Sequence, residues 1–290
     1  MAVWVMKGGG VRLAGVGLLT VLSLVGCNRK APAPDVAETT PAPAAKPDDK
    51  APAPKVPPDP RMHQPFAEAT RADPPTDAQR PPDTTAAGKP TGKLCTQVQR
   101  LWDTIKFVSD DGKPINYSAT VETNLGSIEI AFRPDLAPNH VRNFIALAKA
   151  GYYDGLRFER IVHEQAPDQP DTLLDLVEAG CPTGTGEPGY GSIGYWLKPE
   201  LSAKAAHEPG TVGACHGPEI DSAACRFYVV YQCKTKALDG NYTVFGKVTK
   251  GLDVVRRIFE QPVRIDEGDF EGHHRPEQPV VIKRVTVHAN

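Results

Sequence analysis

The 290-residue chain carries 33 Lys and Arg against 35 Asp and Glu, a formal charge of −2 at neutral pH. A chain this close to neutral, with no basic stripe interleaved with aromatics, is not built to grip a nucleic-acid backbone. Its 29 prolines are unevenly spread, and that unevenness divides it into three parts.

Residues 1–27 read as an export signal: Lys7 and Arg12 supply a positive start, followed by the uncharged run 13–27. That run is shorter than the ~20 residues a membrane-spanning helix needs. It ends on Leu24-Val25-Gly26-Cys27, which resembles the bacterial lipobox. The resemblance implies lipidation of Cys27 and a domain held in the periplasm of the cell envelope; Asn28 after the cysteine favours the outer membrane. An ordinary cleaved signal or a single-span anchor is the alternative. Residues 28–92 hold sixteen of the prolines, mixed with Ala, Asp and Lys, as in "APAPDVAETTPAPAAKPDDKAPAPKVPPDP". Proline removes backbone donors and the larger apolar residues are few, so a disordered tether biased to polyproline II is expected. Residues 93–290 suit one domain, expected to be a monomer.

Within that domain the pattern is mainly β. "NYSATVETNLGSIEIAF" alternates Ala119 and Val121, then Ile128, Ile130 and Phe132, around the turn signal NLGS of a hairpin. Pro138 opens a helix in which Val141, Phe144, Ile145 and Ala148 recur at helical spacing before Gly151 ends it. "LRFERIV" follows as a strand, with alternation placing Leu156, Phe158, Arg160 and Val162 on one face. Later strands are "GTVGAC", "CRFYVVYQC", "YTVFGKV" and "VVIKRVTVH", and "GLDVVRRIFE" is a second amphipathic helix. Many strands and two helices suggest an antiparallel barrel or sandwich with helices capping its open ends.

Five cysteines follow Cys27: Cys95, Cys181, Cys215, Cys225 and Cys233. Export permits disulfides, and Cys215–Cys225 is the first pair to try, but an odd number leaves one thiol over. No C-x₂₋₄-C element supports zinc, and His273-His274 near Asp269 and Glu271 reads as a solvated loop. No metal or cofactor is expected. "PTGTGEPGYG" lacks the ending of a phosphate-binding loop.

"TNLGSIEIAFRPDLAPNHVRNFIALAKAGYYDGLRFERIV", "PTGTGEPGYG" and "LDGNYTVFGKV" together resemble the cyclophilin family of peptidyl-prolyl isomerases, over about residues 117–288. The resemblance implies a closed eight-stranded antiparallel β-barrel capped by two α-helices, with a groove for proline-containing peptides on its outer face. The family's Phe-His-Arg-Val is here Phe158-Glu159-Arg160-Ile161, so Arg160 matches the catalytic arginine, with Phe158 beside it. Further along, Leu176 stands for an apolar wall and Glu178 for a glutamine that donates to the substrate carbonyl. An ionised carboxylate accepts only, so restoring an amide there is expected to raise the rate roughly five-fold. Arg226 replaces another glutamine. Phe227 and Tyr228 follow it, with Tyr228 at the floor of the proline pocket and a hydroxyl that needs a partner. Tyr242 replaces a histidine, Ala237 a tryptophan, and 163–172 is inserted. The resemblance points to an isomerase of reduced activity acting on exported proteins. A proline-binding module or chaperone with little turnover, or an envelope-spacing lipoprotein, are the alternatives.

Overall fold

The computed structural model describes residues 59–187, 189–265 and 273–290. The proposed signal, Cys27 and the first part of the tether lie outside the described residues, as do Asp269 and Glu271. From residue 59 onward the chain forms one compact unit. In order it runs through a 3-10 turn (Pro60–His63), α1 (Phe66–Ala69), β1 (Thr70–Arg71), α2 (Thr91–Trp102), β2 (Tyr117–Thr123), β3 (Gly126–Phe132), α3 (Pro138–Lys149), β4 (Arg157–Glu164), a 3-10 turn (Pro170–Thr172) and β5 (Leu174–Ala179). It continues with β6 (Trp196–Leu197), β7 (Thr211–Ala214), β8 (Phe227–Cys233), β9 (Val244–Lys250), α4 (Leu252–Phe259), β10 (Val263–Arg264), β11 (His273–Pro276) and β12 (Val280–Ala289).

Eight strands close a barrel in the order β4-β12-β2-β3-β9-β7-β8-β5, with β5 pairing back onto β4. Every pairing is antiparallel. The β2–β3 hairpin turns through Asn124-Leu125, where Thr123 faces Gly126. Closure leaves no barrel strand with an unpaired edge, and it separates an inside from an outside. Val121, Ile128, Ile130, Val177, Val212, Val229 and Ile282 fill the inside. Helix α3 is buried along almost its whole length, packed against β9 and β12 on one side and α2 on the other. Helix α4 lies against β3, β5 and β8. Both expected helices are present, and α2 adds a third layer that the pattern did not suggest.

The domain boundary expected at residue 93 is corrected. Residues 59–92 are folded against the barrel and α2. Trp102 Nε1 donates to the Gln64 carbonyl at 2.9 Å, Asn139 Nδ2 to Gln64 Oε1 at 2.7 Å, and Arg142 to the Met62 carbonyl. Phe66 packs edge-on against Trp102 and Tyr195, and Thr70 pairs with Leu197 across β1 and β6. Farther along, the Ala86 amide donates to the Pro182 carbonyl at 2.7 Å. A few well-placed apolar residues and tertiary hydrogen bonds thus order a segment whose composition reads as tether.

Candidate active site

The strand carrying Arg160 is not regular. Phe158 faces Ala179 and Arg160 faces Glu178, so Glu159 is an extra residue in the ladder. This bulge puts Phe158 and Arg160 on opposite faces, and the face-sharing expected from simple alternation is corrected. Phe158 belongs to the barrel interior, its ring 6.2 Å from Phe227. Phe227 is interior as well, set edge-on against Phe144 and Tyr153. Neither can line an outer groove. For Phe227 the reason was present in the sequence, since adjacent residues on a strand point to opposite faces.

On the outside, Arg160, Glu178, Tyr228 and Gly213 follow one another across β4, β5, β8 and β7 in one register row. Beside that row is a second, separate apolar cluster: Val162, Leu174, Leu176, Tyr228, Val230 and Leu238, bordered by Cys215, Cys233 and Tyr242. Leu176, Tyr228 and Tyr242 therefore meet on this outer face. The Tyr228 ring lies across Gly213, where a Cβ would come within 2.3 Å of its Cζ, and Tyr242 stands edge-on to it at 6.0 Å. Most of the 163–172 insertion lies in the β4–β5 connection, which begins beyond the Glu164–Leu174 pair. Two clefts of about 460 and 260 Å³ border the 183–187 loop, and Arg160 lines neither.

The charged side chains of this face form a chain. Glu178 Oε2 lies 3.3 Å from Arg160 Nη1 and 2.5 Å from Arg226 Nη2, and Arg226 Nε lies 3.7 Å from Glu159 Oε1. Glu159 Oε1 also accepts from the Cys181 amide at 2.9 Å, while Glu159 Oε2 and Arg226 Nε have no hydrogen-bond partner among the described residues. Burial pushes the Glu159 carboxyl up to about 7; Arg226 pulls it down and Glu178 pushes it further up. Burial works against the charge of Arg226, yet Glu178 and its other neighbours hold its pKa above the ordinary arginine value. Gly186, with φ +70°, rests on the stem of Arg160, and a Cβ there would sit 2.5 Å from Cγ and 2.6 Å from Cδ.

Residues 118–287 match the cyclophilin type peptidyl-prolyl cis-trans isomerase/CLD family. The chain belongs to that family. Peptidyl-prolyl cis-trans isomerase-like 3 of Rhizopus delemar is 34% identical over 173 residues, 60% of this chain and 95% of that protein. The human protein of the same name is 34% identical over 175 residues, 60% of this chain and 97% of its own length. Peptidyl-prolyl cis-trans isomerase-like 2 of Rhizopus delemar is 32% identical over 185 residues, and this match spans 31% of its length. Among solved structures, a cyclophilin type isomerase of Cryptosporidium parvum aligns over 60% of this chain and 99% of its own, with 22% identity and a TM-score of 0.48.

Against the cyclophilin pattern, three departures turn out to be neighbours. Glu159, Glu178 and Arg226 replace a histidine and two glutamines, and they contact one another. Two acids are answered by one base, with Arg160 as the second. A fourth departure, the hydroxyl of Tyr228, is answered by His207, whose Nε2 lies 2.7 Å from it. His207 and Glu159 were not among the site residues read from the sequence. A glutamate next to an arginine on an expected strand is the available signal for the second; the first has none, lying 21 residues from Tyr228.

The expected Cys215–Cys225 pair is not formed, and all five cysteines of the described domain are free thiols. Cys215 borders the outer cluster and Cys225 the interior one, so the barrel wall separates them. Among the described residues no group of His, Cys, Asp and Glu side chains is placed to hold a metal.

Proposed function

We propose that this cyclophilin isomerises X–Pro bonds of extended segments laid over the outer face of β4, β5, β8 and β7, with Arg160 as the catalytic donor. Rotation about a peptide bond costs ~18–20 kcal/mol, whereas the two X–Pro isomers differ by only ~0.5–1 kcal/mol, so the obstacle is kinetic. As the bond twists, the proline nitrogen regains a lone pair. A guanidinium aimed at that pair binds the twisted state better than the planar one, with no covalent step and no proton to move. The observation that carries this reading is the position of Arg160: outward-facing, in register with Glu178 and Tyr228, beside Val162, Leu176 and Tyr242. The apolar cluster would receive the proline ring, with Gly186 against the Arg160 stem and Glu178 beside its guanidinium.

Arg160→Ala should lower kcat/KM on a short Ala-Pro peptide by on the order of 10²–10³, the usual loss for one preorganised donor, with an unchanged melt. A variant keeping over half the activity overturns the assignment. The 3.3 Å contact between Arg160 and Glu178 favours a second reading, a proline-binding module that turns over slowly, because a paired guanidinium is less available to substrate.

The clients we propose are exported proteins, and the site of action the cell envelope. Lys7, Arg12, the run that follows and the Cys27 motif support this. Cys27→Ser would then abolish acylation; a wild-type N-terminal peptide without acyl mass, in a wholly soluble fraction, overturns the anchor.

A further inference from the structure

We infer that His207, backed by Asp239, is a positioning residue of the groove: it takes up the Tyr228 hydroxyl and thereby holds the aromatic floor on which the proline ring rests. This rests on the proposed groove. The direction of each hydrogen bond follows from the atoms. Asp239 Oδ1 lies 2.8 Å from His207 Nδ1 and accepts from the His207 backbone amide at 2.9 Å. A carboxylate has no hydrogen to give, so Nδ1 carries the proton and Nε2 is bare. Tyr228 Oη, 2.7 Å from Nε2, must then be the donor.

The environment keeps each group in that state. Burial, outweighing Asp239, lowers the pKa of His207 and keeps the imidazole neutral. Burial pushes Asp239 up, but His207 more than offsets it, and the carboxyl stays below its ordinary value and ionised. Burial raises the Tyr228 phenol well above its usual range, so it keeps its hydrogen.

Three contacts then clamp the ring. Gly213 lies beneath it, Tyr242 stands edge-on at 6.0 Å, and the His207 ring lies nearly parallel at 5.9 Å. With the hydroxyl directed to His207, the groove is offered ring carbons, as a phenylalanine would offer them. Without an acceptor at 207 the phenol would be buried and unsatisfied, and the ring would have to turn to find a partner. His207 touches no substrate in this arrangement; it acts through Tyr228.

The test is a double-mutant cycle in the full chain: wild type, His207→Leu, Tyr228→Phe and the pair, each assayed for kcat and KM on an Ala-Pro peptide and for equilibrium binding of the same peptide. His207→Leu should raise KM and the peptide Kd about five- to ten-fold, with kcat within two-fold. In the Tyr228→Phe background the same substitution should change them less than two-fold, because no hydroxyl is left to orient. An equal effect in both backgrounds, or no effect in either, overturns the inference. Should His207→Leu not fold, His207→Gln serves: its amide can accept from Tyr228 and donate to Asp239, so KM and Kd should stay within two-fold of wild type, and a larger rise counts against the inference. Nitrogen NMR should find the proton of the wild-type imidazole on Nδ1; finding it on Nε2 also overturns the inference. If the wild type binds the peptide but does not turn it over, the isomerase reading fails, and the Kd cycle still decides this one.

Discussion

Arg226, not Arg160, is the main partner of Glu178: the same oxygen, Oε2, lies 2.5 Å from Arg226 Nη2 and 3.3 Å from Arg160 Nη1. The side chains of Glu178 and Arg226 are 13% and 9% exposed, so the pair is largely out of water. Arg226 thereby competes with Arg160 for the carboxylate and keeps it from capturing the Arg160 guanidinium outright. Charges that look damaging singly form a balanced set.

This reverses the expectation that Glu178→Gln alone would speed the enzyme. The substitution strips a buried arginine of its nearest counter-charge, leaving Glu159 at 3.7 Å. Breaking one side of a buried pair costs ~3–5 kcal/mol. We expect Glu178→Gln to lose at least ~3 kcal/mol of stability by denaturant titration and to have lower kcat/KM. Adding Arg226→Gln should recover most of both, since two amides can hydrogen-bond without charge. A single variant as stable as wild type, or a double variant worse than either single, contradicts the coupling.

The loop glycine over Arg160 gives a second prediction. At Gly186, alanine would meet two carbons in the middle of the Arg160 chain, and these cannot swing away without moving the guanidinium. The left-handed backbone itself adds ~1–2 kcal/mol of strain for any residue with a Cβ. Gly88, with φ +75° and nothing within 4 Å of its Cβ position, carries the strain without the contact. Gly186→Ala should cut kcat/KM at least ten-fold, and Gly88→Ala should shift the melt without that loss. Equal kinetics in the two variants would remove the loop from the site.

Glu159 should make stability fall as pH rises. Its carboxyl titrates at about 7 in the fold, against ~4.3 when unfolded, because burial penalises the ion. Between those values the folded state holds the proton and the unfolded state does not. The stabilisation is therefore complete below pH ~4 and is lost as pH rises through 7, by on the order of 3 kcal/mol. Glu159→Gln should flatten that slope, read as denaturant midpoints between pH 5 and 8.5. If wild type and variant show parallel pH profiles, Glu159 is not the titrating group.

What was legible in the sequence follows physical lines. The β2–β3 hairpin, α3, α4 and strands β7, β8, β9 and β12 announce themselves because one face of each is apolar at the period of its backbone. Strand β5 does not: Leu174–Ala179 carries Asp175 and Glu178, and it is buried almost throughout, so no alternation marks it. The bulge at Glu159 was hidden for a related reason, since an extra residue shifts the faces without changing composition. Arg160, Leu176, Glu178, Arg226, Tyr228 and Tyr242 are singled out by the resemblance and not by periodicity. Their mutual contacts, and the roles of His207 and Asp239, depend on strand order, which pairs residues far apart in the chain.

The segment 59–92 tests how far composition can mislead. It was expected to be tether, yet it supplies part of the packing around α3. Gln64 alone receives hydrogen bonds from Trp102 and Asn139, and Arg61 reaches toward Glu200 at 3.7 Å. Glu200 in turn accepts from the amides of Asn139 and His140 in the first turn of α3, where the helix dipole favours a negative charge. Removing residues 1–92 would leave Trp102 Nε1 without its acceptor, uncover Trp102 and Tyr195 where Phe66 packs, and free the edge of β6. Each large side chain so exposed forfeits ~1.5–3 kcal/mol, and the total stability of a domain is only ~5–15 kcal/mol. A chain starting at residue 93 should therefore be unfolded or marginal, whereas one starting at residue 59 should melt as the full chain does. Phe66→Ala in the longer chain should lose about 3 kcal/mol. The measurements are thermal melts and proteolysis of the two truncations side by side. Equal melting temperatures would mean that the first folded segment decorates the barrel without supporting it.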